Sequence, residues 1–122
     1  MPERAPVAAE VVVQAQLDAY NARDIEAFVA CYADDVEVRD LDTGDLRMQG
    51  IAAFREAYAA QFMRWPGQRA SIAAREVVGD YVMDIEHVRG VPERDDARLM
   101  ALFRVREGRI DRVWFSPRVA LP

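Results

Sequence analysis

Val12, Leu17 and Tyr20 recur near the spacing of one helical face, with Val13 and Gln16 beside them, and predict a first helix over about Val7–Asn21. After a short break at Asn21–Arg23, Asp24 reads as the N-cap of a second helix; Ala27 at its third position leaves the capping box incomplete. Ile25, Phe28, Val29 and Tyr32 form that helix's apolar face, and Asp34-Asp35 should end it. In Val36–Asp40 the period changes to two, as in a strand: Val36, Val38 and Asp40 share one face, Glu37 and Arg39 the other. A turn around Gly44 leads to a short strand at Leu46–Gln49. Beyond Gly50, the stripe Ile51, Phe54, Tyr58, Phe62 and Trp65 predicts a third helix stopped by Pro66-Gly67. The rest alternates as strand. Ser71–Val78 and Tyr81–Arg89 flank the two-residue turn Gly79-Asp80; a charged loop, Gly90–Asp96, follows; Leu99–Arg106 and Arg109–Ser116 flank Glu107-Gly108.

Helices first and a strand meander afterwards predict an α+β fold in which a curved, mainly antiparallel sheet wraps around three helices and encloses one pocket. At 122 residues the chain fits one domain, expected over residues 7–117, with a flexible N-terminus at 1–6 and a loose tail at 118–122. No apolar run is long enough to span a bilayer, and Met1–Pro6 does not read as a secretory signal. The expected location is the cytoplasm, without a membrane partner. A net charge of −5 argues against nucleic acid, which calls for a basic surface.

All 16 basic residues are arginine, so this chain has no lysine for Schiff-base chemistry. Cys31 is the only cysteine and reads as a small buried hydrophobe; with His87 the only histidine, neither zinc-type spacing nor a histidine-based metal site is present. No metal and no cofactor are expected.

Two segments carry a family pattern: Asp24-Ile25-Glu26-Ala27 through Tyr32-Ala33-Asp34-Asp35-Val36 to Asp40, and Phe103 through Gly108 to Val113. With the order of elements, they resemble the nuclear-transport-factor-2-like superfamily, which includes ketosteroid isomerases, limonene epoxide hydrolase and SnoaL-like polyketide cyclases. The resemblance covers nearly the whole chain and implies the cone-shaped α+β fold more than any one chemistry. It places the isomerase's proton-shuttling aspartate on Asp40 and its supporting tyrosines on Tyr32 and Tyr58. The isomerase's oxyanion donors fall on Gln16 and Ala101, so that oxyanion hole is missing. The epoxide hydrolase's arginine falls on His87, and its two aspartates on Arg89 and Phe115, so that triad is missing too.

Asp40 is the leading catalytic candidate. On parity, a carboxylate sharing a face with two valines points inward; buried without a charge partner, its pKa would rise toward a value suited to a base. The residues alone favour a strand end that is solvated or caps the next turn; the resemblance favours the pocket. His87 is the second candidate. It shares a face with Tyr81, Met83 and Ile85, and acts as acid or base only if that face looks inward; the alternative is a rim or surface histidine. Counting back from the Gly79-Asp80 turn sets Arg75 opposite Asp84, with Glu86 diagonal on the same face. These three form an ion pair on the convex sheet face or, under the opposite face assignment, a charged site within the pocket. The sequence does not fix which side these two strands turn inward.

The expected ligand-binding wall comprises Gln16, Tyr20 and Tyr32; Phe54, Tyr58, Phe62 and Trp65 from the third helix; Met83 and Ile85; Leu99, Ala101 and Phe103; and Val113 and Phe115. Trp114 falls on the outer sheet face and suggests a homodimer through it. The expected partner in the pocket is a small apolar molecule. It is either the substrate of a cofactor-independent isomerase, cyclase or dehydratase using Asp40, or the ligand of a non-catalytic binding or protein-interaction module on the same fold.

Overall fold

Asp24 accepts the Ala27 N–H at 3.1 Å and starts a helix of only five residues, α2 (Ile25–Val29). It follows α1 (Ala9–Ala22), whose end is set by Arg23 in the left-handed conformation at φ 57°. The computed structural model describes residues 8–122; the N-terminal segment 1–6 and Val7 lie outside the described residues. The remaining elements are β1 (Tyr32–Asp40), β2 (Leu46–Gln49), α3 (Ile51–Arg64), β3 (Arg69–Val78), β4 (Tyr81–Arg89), β5 (Ala97–Arg106), β6 (Arg109–Phe115) and β7 (Val119–Ala120). The order β2-β1-β6-β5-β4-β3 makes a mixed, unclosed sheet, parallel only between β1 and β6, with β7 added to β5. The helices fill its concave side, as expected. Among the described residues, no helix is long and apolar enough to cross a membrane.

Two boundaries differ from expectation. Tyr32 opens β1 instead of extending α2: it pairs with Ile110 in β6, the Ile110 N–H donates to the Cys31 carbonyl at 2.9 Å, and its phenol donates to Gln16 Oε1 at 2.8 Å. Continuing a five-residue helix would give up all three contacts. The C-terminal segment is not a loose tail. β6 ends opposite Ala101, leaving the first residues of β5 unpaired on that side, and β7 covers them at Ala97 and Arg98. The Leu121 N–H completes this attachment by donating to the Asp96 carbonyl at 2.8 Å.

The concave side is built from alternate strand residues. Val82 lies opposite Phe103, Asp84 opposite Ala101 and Glu86 opposite Leu99, so all six share one face. Val36, Val38 and Val113 join them beneath α1 and α3. At the centre, the Phe28 ring lies 4.9–5.9 Å from Tyr20, Tyr32, Phe54, Tyr58 and Phe62. Such an aromatic cluster supplies much of a small core's burial energy. Arg23 fastens the helix ends around it, donating to the Trp65 carbonyl at 2.8 Å and to Gln68 Oε1 at 2.9 Å while lying 4.7 Å over the Tyr20 and Phe62 rings.

The opposite face of β4 therefore turns outward. Met83 pairs with Leu102, Ile85 with Met100 and His87 with Arg98 on the convex side, where Trp114 lies opposite Leu102 and 6.5 Å from the Tyr81 ring. This corrects the inward placement expected for Met83, Ile85 and His87. Sheet alternation permits only one of the two sets inside, and the set facing Leu99, Ala101 and Phe103 is the one buried. Arg75 does sit opposite Asp84, but on the concave side. An extra residue at Ala73 shifts the β3 register and keeps both Ile72 and Arg75 facing inward.

Candidate functional site

The concave side is incompletely filled. A cavity of about 450 Å³ opens between Val38 of β1, Met48 and Arg47 of β2, Ala57, Tyr58 and Gln61 of α3, Leu99 of β5, and the run Phe115–Arg118. A smaller one of about 50 Å³ lies deeper, bordered by Gln16, Tyr20, Tyr32, Phe103 and Glu86. Both share Tyr58, Gln61, Leu99, Phe115 and Arg118. α3 forms one wall because its glycine-led start places Phe54, Tyr58 and Gln61 on successive turns, with Phe54 anchored in the core.

Glu86 is the acid of this space. Part of its surface borders the deeper void, while protein surrounds the rest. Burial pushes its carboxyl up to about 7, and the nearby Asp84 charge adds to the rise; Arg118 and Arg75 oppose it. No hydrogen bond enters among these forces. Asp84 itself is 0% exposed and held by Arg75 through two contacts, at 2.6 and 3.0 Å, with Gln14 Oε1 accepting from the same guanidinium at 2.9 Å. That arrangement satisfies a buried charge and fixes a negative neighbour for Glu86.

Three phenols surround the deeper void. Burial raises the pKa of Tyr20, Tyr32 and Tyr58, so all are neutral hydroxyl groups near pH 7. Tyr32 is committed to Gln16, and Arg23 partly offsets the effect of burial on Tyr20. On Tyr58, burial is reinforced by Tyr20 and Glu86. Gln61 Oε1 is buried without a hydrogen-bond partner among the described residues, at the boundary of the two cavities. At the mouth, Arg47 Nε contacts Asp40 at 3.0 Å. No three His, Cys, Asp or Glu side chains among the described residues converge as metal ligands.

Residues 13–113 match the SnoaL-like domain. The chain belongs to the SnoaL-like domain family. This SnoaL-like chain is similar to an uncharacterised cystatin-fold protein of Novosphingobium aromaticivorans, with 30% identity over 89% of this chain and 97% of that one, and a TM-score of 0.81. It is also similar to a protein of Sinorhizobium meliloti provisionally named a polyketide cyclase, with 25% identity, 86% and 93% coverage and a TM-score of 0.73. An epoxide hydrolase of M. tuberculosis, at 21% identity, 91% and 83% coverage and a TM-score of 0.76, shares the fold. No functionally curated protein matches. The nuclear-transport-factor-2-like architecture implied by the sequence is thus the one this SnoaL-like domain has.

Within that architecture the expected wall divides. Gln16, Tyr20, Tyr32 and Phe103 border the deeper cavity, and Tyr58, Leu99 and Phe115 border both. Phe54, Phe62, Ala101 and Val113 lie in the core behind the wall. Trp65 stands apart from both cavities, between the Arg64 and Arg94 guanidiniums at 5.0 Å each. Asp40 shares the inward face with Phe115, but its side chain is 26% exposed and paired with Arg47, contrary to the unpaired interior acid expected. His87, Met83 and Ile85 point away. The acid on the cavity wall is Glu86, considered in the sequence only under the alternative face assignment. Its inward orientation was accessible from one further fact, its pairing with Leu99. Arg47, Gln61 and Arg118 lacked a sequence signal, because a polar residue at a rim looks like any solvated residue.

Proposed function

We propose that this SnoaL-like protein binds a small, largely apolar molecule in the cavity and moves a proton on it, with Glu86 as the acid–base group. One arrangement carries the reading: the Glu86 carboxyl borders a void walled by Tyr20, Tyr32, Tyr58 and Phe103, has no hydrogen bond among the described residues, and is pushed by burial up to about 7. A group titrating there exists in both protonation states at neutral pH and can both take and return a proton. Tyr58 and Tyr20, as neutral phenols beside it, are placed to donate to an oxygen of the bound molecule. Asp40 takes the lesser role of holding Arg47 at the mouth. The reaction class is that of a cofactor-independent isomerase, cyclase or dehydratase, since carboxyl-mediated proton transfer requires no other group.

A non-catalytic ligand-binding domain is the second reading. It is favoured by Ala101, an apolar core residue where the isomerases carry a donor, and by the engagement of Gln16 with Tyr32. Hydrogen–deuterium exchange separates the two. In D2O with 2-tetralone, a ketone with activated C–H bonds, the wild type should speed loss of the α-proton NMR signal. The rate should rise with an apparent midpoint near pH 7, and Glu86→Gln should abolish it. Saturable binding with equal, background exchange in both proteins would reject the acid–base role and leave the binding domain.

A further inference from the structure

Around the larger cavity the titratable liners are Arg47, Tyr58 and Arg118; none is acidic, although the protein as a whole carries a net charge of −5. The two guanidiniums differ. Arg47 already serves Asp40 through Nε. Among the described residues, Arg118 takes part in no ion pair. Its placement comes from the backbone. The Ser116 N–H donates to the Met100 carbonyl at 2.9 Å, and Ser116 Oγ accepts the Met100 N–H at 2.8 Å. Three residues later Val119 rejoins the sheet opposite Arg98. Pro117 and Arg118 thus bridge two fixed points, and both line the cavity mouth. Arg118 borders both the larger and the deeper cavity while its residue stays open to solvent.

Resting on the small-molecule reading above, we infer that the molecule this cavity takes carries a carboxylate, docked on Arg118 at the mouth with its apolar body directed along Leu99 and Phe115 toward Glu86. A guanidinium presents paired donors in a plane that match a carboxylate's two oxygens. Val38, Met48, Leu99 and Phe115 supply an apolar wall for the body, and Arg118, which borders both cavities, joins this wall to the deeper void that Glu86 lines. The ligand class is a small aromatic or alicyclic acid.

Calorimetric titration at pH 6, with 2-naphthylacetate and its neutral isostere 2-naphthylacetamide as probes, tests this. The wild type should bind the carboxylate at least about tenfold more tightly than the amide, the scale of a charge-assisted hydrogen bond at a partly solvated site. Arg118→Gln should erase the preference, and Arg118→Lys, which keeps the charge, should retain part of it. Equal affinity for the two probes in the wild type, or a preference unchanged in Arg118→Gln, overturns the inference and leaves the small-molecule reading standing. Equal affinity together with a higher Glu86 midpoint in Arg118→Gln would also overturn it, assigning Arg118 to Glu86 instead. Binding of neither probe overturns both readings.

Discussion

Replacing Glu86 with glutamine should make the protein more stable, by a margin that grows as pH rises from about 4.5 to about 7. The carboxyl titrates near its usual 4.5 when the chain is unfolded and at about 7 when folded. Between these values the folded chain holds a proton that the unfolded chain has released, so wild-type stability falls as pH rises through this window. Below about 4.5 the contribution is fully present; above about 7 it is gone. At about 1.36 kcal/mol per pH unit, the gap corresponds to about 3 kcal/mol. Glutamine keeps the shape and has no charge to desolvate. Urea unfolding from pH 4 to 8.5 should therefore show similar stability of the two proteins at pH 4. The variant should be ahead by about 3 kcal/mol at pH 8.5, or by roughly 10 °C in midpoint for a domain of this size. Taking the difference between the two proteins removes every other titrating group. A difference that does not change with pH, or a wild type that gains on the variant as pH rises, would refute the account of Glu86 as a desolvated carboxyl.

Two further outcomes follow, one from the concave face and one from the contact between two loops. Arg75→Met leaves the Asp84 carboxylate buried and unpaired and should cost about 3–5 kcal/mol by chemical denaturation, whereas the double variant Arg75→Met with Asp84→Leu should recover most of that loss; no recovery would show that the pair does more than neutralise itself. Gly90 has φ 88°, and a Cβ there would run into the Gly67 carbonyl oxygen. Gly90→Ala should destabilise by at least about 2 kcal/mol in the same assay, and a loss under about 0.5 kcal/mol would show that this loop yields freely.

What the sequence made legible was local. The Gly79-Asp80 turn fixes its own register, and Arg75 lies opposite Asp84 as counted. The stripe on α3 and the two-residue period of Val36–Asp40 likewise depend on near neighbours alone. The orientation of β4 was not legible for two reasons. Both of its faces carry apolar residues, Met83 and Ile85 on one and Val82 and Val88 on the other, so hydrophobicity does not choose between them. The partner that does choose, Leu99, is reached across the charged loop Gly90–Asp96, whose length sets no register. That single ambiguity put His87, not Glu86, beside Asp40 as the second candidate. Asp40 illustrates a second limit. Its direction followed from alternation, but its ion pair depends on where β2 brings Arg47. The C-terminal end of the chain was misread for a similar reason: the unpaired edge that recruits β7 exists only once β6 has stopped short.

The positions of the two tryptophans determine what light can report. Trp65 is flanked by guanidiniums at the far end of α3, and Trp114 sits on the convex surface beside Tyr81; neither touches the void where a ligand would lodge. Indole emission is therefore nearly silent to occupancy but responsive to anything that covers the outside of the sheet. A dilution series followed at the tryptophan band would report self-association, while filling of the interior is better followed through the tyrosine ring resonances.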